Sequence, residues 1–239
     1  MSDLTDNILL LGKSTVKRRE FIKRNIERMD RSYIVSDPTG ELYETEKNSL
    51  EQNGYTVLRL NLEADKGESA GYNPLKYSGS GNFIAETIYD GMSSPIKAAD
   101  PFHNNYIACL SALISYTAQY QKENLPDVYD LLTKDCTDTA SALKKLDGIF
   151  SGVKESFCQS AYKTFKLCSE KDQQRVIAEL RVDLDCFSVD PYKTILQTDN
   201  LNRPAFSAIR KKKPGTLPSG HVLIFKDRIR HMRWISCLL

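Results

Sequence analysis

The chain has 239 residues, of which 41% are hydrophobic and 27% charged, and its formal net charge is only +2. This balance is typical of a soluble globular protein and excludes a largely disordered chain, while the near-neutral charge offers no composition argument for nucleic-acid binding. Six dispersed cysteines, none in a C-x-x-C pair, predict reduced thiols in the cytosol and no metal site.

Short apolar runs alternate with helical patterns over the first 62 residues. Residues 7–11, 32–36 and 55–62 have the composition of buried strands, and residues 16–30 and 41–53 have the spacing of amphipathic helices. This alternation is typical of βαβ units and predicts an α/β fold with a parallel sheet.

The pattern changes near residue 80 and stays helical to about residue 198. Residues 83–89 and 102–120 have helical spacing, and Asp100-Pro101 has the form of an N-cap for the second of these helices. Further predicted helices lie near 126–133, 138–149, 155–169 and 171–186. The remaining residues are basic, with one apolar strand candidate at 221–225. We therefore divide the chain into an α/β region at 1–80, an all-helical domain at 81–200 and a basic segment at 201–239.

A four-residue string, Gly12-Lys13-Ser14-Thr15, matches the end of a phosphate-binding loop. The residues before it form the predicted strand itself, so no loop precedes Gly12 and the match does not have the required geometry.

Gly12 is better placed as the first glycine of the motif. The second glycine is then replaced by Lys17, the lysine by Arg18 and the magnesium-binding hydroxyl by Arg19. Such a degraded loop predicts no productive Mg-ATP binding.

Two further groups of residues are candidate contacts with a ligand. Asp37, Gly40 and Glu41 follow a predicted strand, where open α/β sheets place ligands, although a tight turn needing glycine explains them equally well. Two basic patches, at 12–24 and 210–233, contain the residues expected to contact nucleic acid or another anion. These are Lys17, Lys23, Lys211, Lys212, Lys213, Arg228 and Arg230. A solvated helix face is the alternative for the first patch, and a divergent tail is the alternative for the second.

Several motifs in one order resemble the TraG-like coupling proteins of type IV secretion, which recruit DNA–relaxase substrates in bacterial conjugation. The matching segments are SYIVSDPTGELYE at 32–44, GYTVLRLNL at 54–62, SAGYNPLKY at 69–77, DPFHNNYIACLSALISY at 100–116 and RVDLDCFSVDPYKTILQTDNLN at 181–202. The resemblance covers roughly residues 7–205. It implies a partial RecA-like, P-loop-type parallel sheet with an inserted all-α domain.

The resemblance also implies a nucleotide site built from Gly12, Arg18, Arg19, Asp37, Gly40 and Glu41. The chain departs from the family here: the lysine of Asp-Pro-Lys-Gly-Glu is Thr39, and no Asp-Glu pair follows the strand at 222–225. We therefore expect no catalytic residues, no metal and no cofactor, with ATP and magnesium relevant only if the degraded loop still functions.

The function implied is recognition of DNA or a relaxase substrate in conjugative DNA transfer without ATP hydrolysis. The alternatives are an active DNA-translocation ATPase that works as an oligomer, and a decayed fragment without function. The expected partners are a relaxase or DNA–protein substrate, other type IV secretion components and further copies of this chain. The expected location is the cytoplasm, at the inner face of the membrane through partners, with no membrane span of its own.

Overall fold

The computed structural model describes residues 15–30, 32–63, 68–77, 80–92, 102–121, 124–200 and 221–226. Nine α-helices and three strands are found in these ranges, together with short helical turns at Pro74–Lys76, Thr117–Gln121 and Asp185–Ser188. The helices are α1 (Thr15–Ile26), α2 (Glu41–Gln52), α3 (Gly81–Met92), α4 (His103–Tyr116), α5 (Leu125–Thr133), α6 (Thr139–Ser151), α7 (Phe157–Phe165), α8 (Glu170–Asp183) and α9 (Tyr192–Gln197). The strands are β1 (Tyr33–Ser36), β2 (Thr56–Asn61) and β3 (His221–Lys226).

The three strands run parallel in the order β1-β3-β2. Tyr33 and Val57 both pair with Val222, so β3 separates two strands that precede it by more than 150 residues. Helices α1 and α2 share a small core with β1 and β2, in which Ile26, Val35 and Leu50 are buried. This layer contains the predicted candidate site.

A larger core lies among α3–α9, which we call the helical unit. Helix α4 is at its centre because apolar residues occur all around it, and Leu110, Leu113 and Ile114 have almost no exposed surface. Polar residues begin the surrounding helices: the Asp138 carboxylate accepts a hydrogen bond from the Ser141 N–H (2.7 Å), and the Ser169 hydroxyl accepts one from the Asp172 N–H (3.2 Å). The sequence therefore specifies a packed set of short, separately capped helices.

The predicted fold class, an α/β fold with a partial RecA-like P-loop-type parallel sheet and an inserted all-α domain, is wrong. Most of the described residues are helical, and β1 and β2 do not pair with each other. The larger core is formed by helices packed on helices, and Ile34 in β1 is 60% exposed, so one side of that strand lacks the cover that a doubly covered parallel sheet has. The predicted strand at 7–11 and the predicted N-cap at Asp100-Pro101 lie outside the described residues.

Candidate functional site

The predicted site lies at the carboxyl edge of the strands. Strand β1 ends at Ser36 and is followed by the turn 37–40, which leads directly into α2. Because parallel strands present their carboxyl ends at the same edge, Asn61 at the end of β2 lies on this side as well. The turn and the first residues of α2 therefore occupy the position where open sheets bind ligands.

Asp37 is 2% exposed, and its carboxylate accepts hydrogen bonds from the turn and from the first part of α2. One oxygen accepts a hydrogen bond from the Tyr43 N–H (3.1 Å), and the other accepts one from the Thr39 hydroxyl (3.2 Å). Gly40 has a φ of 79°, in the left-handed region that glycine adopts without strain. Both residues thus have clear roles in the turn, while their predicted ligand contacts remain predictions.

Helix α1 begins at Thr15, so Arg18 and Arg19 lie on regular helix and not in a loop. Arg18 is exposed, whereas the guanidinium of Arg19 forms an ion pair with the carboxylate of Glu41 at the start of α2. The structure thereby brings two of the predicted nucleotide-site residues together. Gly12 lies outside the described residues.

The basic residues of α1 are partly neutralised by α2. Lys23 lies 2.8 Å from the buried carboxylate of Glu46 and 3.9 Å from that of Glu27. The adjacent carboxylate of Glu46 raises the pKa of Lys23 above the ordinary lysine value. Lys17 is exposed on the same helix. The other predicted anion contacts, Lys211, Lys212, Lys213, Arg228 and Arg230, lie outside the described residues.

Strand β2 contains a buried arginine that was not predicted as a site residue. Arg59 is 8% exposed, its guanidinium lies 4.9 Å from the centre of the Tyr43 ring, and it is 3.6 Å from the carboxylate of Glu44. The ammonium of Lys47 lies 5.1 Å from the centre of the same ring and 3.3 Å from the carboxylate of Glu68, and its proximity to Tyr43 and Glu68 raises the pKa of Lys47. The sequence did contain a signal for this residue, because Arg59 is a charged residue in the middle of the apolar run 55–62.

The two ends of the helical unit meet in a short paired segment, which we call the clasp (residues 70–77 with residues 195–200). The Gly71 N–H donates to the side-chain oxygen of Asn200 (2.6 Å), and the Asn200 N–H donates to the Gly71 carbonyl (3.2 Å). The Tyr72 N–H donates to the Ile195 carbonyl (2.8 Å). A Cβ on Gly71 would lie 1.8 Å from the Thr198 hydroxyl oxygen, so the close approach requires glycine.

Side chains extend the clasp. The Tyr77 hydroxyl donates to the Asp199 carboxylate (2.8 Å), and the Lys76 ammonium lies 3.4 Å from the same oxygen. The Asp199 side chain is only 7% exposed. Two segments more than 120 residues apart are thus joined through partly buried polar contacts.

An open groove of about 540 Å³ is found on the helical unit. It is lined by Leu75, the start of α3, the end of α4, Phe157 of α7 and two residues of a π-helical turn at Thr117–Gln121. Phe157 is 56% exposed. The groove is distant in sequence from every predicted site residue.

No group of three or more His, Cys, Asp or Glu side chains within the described ranges is suited to hold a metal ion. In the same part of the chain, no helix has both the length and the apolar character needed to cross a membrane. No protein-family model matches the chain, and no curated protein matches it in sequence. The resemblance to TraG-like coupling proteins therefore remains a prediction.

Proposed function

We propose that the chain is a recognition domain of the coupling-protein type in conjugative DNA transfer, which binds DNA or a relaxase substrate without hydrolysing ATP. In this proposal the helical unit carries the substrate contacts. The protein acts in the cytoplasm, at the inner face of the membrane through other secretion components, and requires neither ATP nor magnesium.

The clasp is the observation that carries this proposal. Two of the segments that resemble the family, 69–77 and 181–202, contain its two halves. Their pairing closes the helical unit at its base, so two segments that carry the resemblance lie together although they are more than 120 residues apart. The proposal rests on this contact together with the resemblance itself.

The surroundings of Arg19 favour a protein that binds its substrate without hydrolysing ATP. A phosphate-binding loop needs backbone N–H groups that wrap the phosphates before the helix begins. Here Arg18 and Arg19 are already helical, and Arg19 is paired with Glu41. An arginine fork held by a carboxylate cannot serve as the lysine of an ATPase loop.

The test is a parallel measurement of binding and hydrolysis with the full chain. Fluorescence anisotropy with labelled single- and double-stranded DNA, and a pull-down with a purified conjugative relaxase, report recognition. Phosphate release from Mg-ATP reports hydrolysis. We expect binding to DNA or to the relaxase at micromolar concentration and no phosphate release above the buffer rate.

Magnesium-dependent ATP turnover by the pure chain would instead support the alternative function, a DNA-translocation ATPase that works as an oligomer. A well-folded chain that binds neither DNA nor relaxase contradicts the proposal. Broad thermal unfolding together with no binding is the result expected for a decayed fragment.

A further inference from the structure

Arg59 is a buried cation that the surrounding acidic side chains satisfy only in part. It lies on the face of β2 that packs on α2, because Val57, two residues earlier on the same face, belongs to the small core. Its side chain is 8% exposed, and its Nε atom is buried without a hydrogen-bond partner within the described ranges. The Nη1 atom is 3.6 Å from the carboxylate of Glu44, which is too long for a hydrogen bond. A buried guanidinium with so few hydrogen bonds is costly, so this position favours a further anionic partner.

A second cation lies on the same aromatic ring. Lys47 follows Tyr43 by one turn of α2, and its ammonium is 5.1 Å from the ring centre, while the guanidinium of Arg59 is 4.9 Å from it. Tyr43 is buried in the small core, which fixes the ring. The carboxylate nearest to the Lys47 ammonium is that of Glu68, at 3.3 Å. The ring of Tyr43 thus holds two cationic groups that come from different elements, α2 and β2.

The acidic partners of both cations are exposed side chains. Glu44, beside Arg59, is 70% exposed, and Glu68, beside Lys47, is 78% exposed. Ion pairs with such exposed carboxylates are weak, because water screens them and the side chains lose freedom in forming them. Another anion can therefore replace both carboxylates, which then turn into solvent.

We propose that Arg59 and Lys47, held on the ring of Tyr43, form a binding site for an oxyanion group of a small molecule. A guanidinium binds carboxylate and phosphate oxygens through the same planar set of N–H donors, and the ammonium of Lys47 supplies a second positive charge. The ligand group is therefore a phosphate or a carboxylate. The inference goes beyond the proposed function, since the site lies between α2 and β2, outside the helical unit, and involves neither DNA nor a relaxase.

The test uses the full chain and two probes, inorganic phosphate and succinate, with chloride at the same ionic strength as the reference. Isothermal titration calorimetry measures binding, and thermal unfolding measures the stabilisation that a ligand of the folded state produces. We expect one of the two probes to bind at millimolar concentration and to raise the melting temperature above its value in chloride. Phosphate binding identifies a phosphate-bearing ligand, and succinate binding identifies a carboxylate-bearing one.

Substitutions at the site distinguish it from the rest of the surface. Arg59→Met keeps an unbranched side chain in the small core and is expected to weaken binding about tenfold, as loss of a charge-assisted contact does. Glu44→Gln removes a competing carboxylate and is expected to strengthen binding roughly threefold. The matched controls are Arg28→Met and Glu51→Gln, which make the same charge changes at exposed positions and are expected to leave binding unchanged.

The proposal is overturned if phosphate, succinate and chloride stabilise the chain equally, because the effect is then one of ionic strength alone. It is also overturned if binding survives Arg59→Met, or if Arg28→Met weakens binding as much. Lys47→Met, at a partly exposed position, decides the question if circular dichroism shows that Arg59→Met does not fold. Unchanged binding in Lys47→Met then refutes the site.

Failure of this inference and failure of the proposed function give different results. The oxyanion measurements contain no DNA and no relaxase, so a chain that binds neither of these can still bind phosphate or succinate at Arg59. Conversely, recognition of DNA or relaxase by a chain that binds neither small oxyanion supports the proposed function and refutes the site.

Discussion

At the scale of single residues, the turn after β1 shows how one side chain can be needed for structure at a position typical of ligand binding. Asp37 is buried and accepts hydrogen bonds from Tyr43 and Thr39. A buried acceptor of this kind costs free energy if it is lost, because the two donors are then left without their partner.

We predict that Asp37→Ala lowers the free energy of unfolding by about 1–2 kcal/mol. Urea denaturation followed by circular dichroism measures the change. Ser36→Ala, at an exposed position next to it, is the control and is expected to have little effect. Equal stability of the Asp37→Ala variant and the unmodified chain would contradict a structural role for this carboxylate.

Local features of this turn were predictable from the sequence, whereas its ion pairs were not. A glycine after Asp-Pro-Thr predicts a tight turn, and Gly40 has the positive φ that such a turn requires. The pairing of Arg19 with Glu41 depends on how α1 packs against α2, and sequence periodicity contains no information about that packing. The same reason explains why the contact of Arg59 with Tyr43 was missed.

At the scale of elements, the packing of α3 against α4 depends on a glycine at the start of α3. A Cβ on Gly81 would lie 2.1 Å from the Ser115 hydroxyl oxygen and 2.9 Å from the Ser111 carbonyl oxygen. Contacts this short require the helices to move apart, since one of the obstructing atoms belongs to the backbone.

We predict that Gly81→Ala lowers the free energy of unfolding by about 1–3 kcal/mol. Gly148→Ala is the matched control: Gly148 lies within α6, and a Cβ there has no neighbour within 4 Å. This control is expected to raise stability by about 0.5–1 kcal/mol, because alanine favours the helix. Chemical denaturation of both variants tests the pair, and similar effects of the two substitutions would refute the packing argument.

Most helices of the helical unit were predicted, because a 3.6-residue periodicity is a local property, but α9 was not, and the segment predicted near 155–169 extends four residues beyond α7. The segments predicted near 126–133 and 138–149 correspond to α5 and α6, with ends shifted by one or two residues. The predicted strands at 32–36, 55–62 and 221–225 correspond to β1, β2 and β3. The fold class was nevertheless wrong, because it depends on how the elements pair and on which core is larger.

At the scale of the whole molecule, the clasp shows that the helical unit includes residues before α3. Tyr72 is almost fully buried in the larger core, and its ring stacks on that of Tyr77. A boundary drawn from composition at residue 81 therefore removes core residues as well as one half of the clasp.

We predict that a fragment of residues 68–200 folds cooperatively, whereas a fragment of residues 83–198 has lower stability and a broader transition. The longer fragment keeps Gly71, Tyr72 and Tyr77 together with their partners Asn200, Ile195 and Asp199. Calorimetry and circular dichroism melting of both fragments provide the comparison. Identical melting curves would show that the clasp contributes nothing to the stability of the unit.

The position of β3 between β1 and β2 has a consequence for synthesis on the ribosome. Both outer strands emerge before residue 62, but the strand that joins them emerges only after residue 220. Because contacts between residues distant in sequence form late, the helical unit can fold while β1 and β2 still lack their shared partner. The part of the chain that contains β1 and β2 is therefore made early and completed late, and until β3 is made the strand edges that it will pair with have no partner strand.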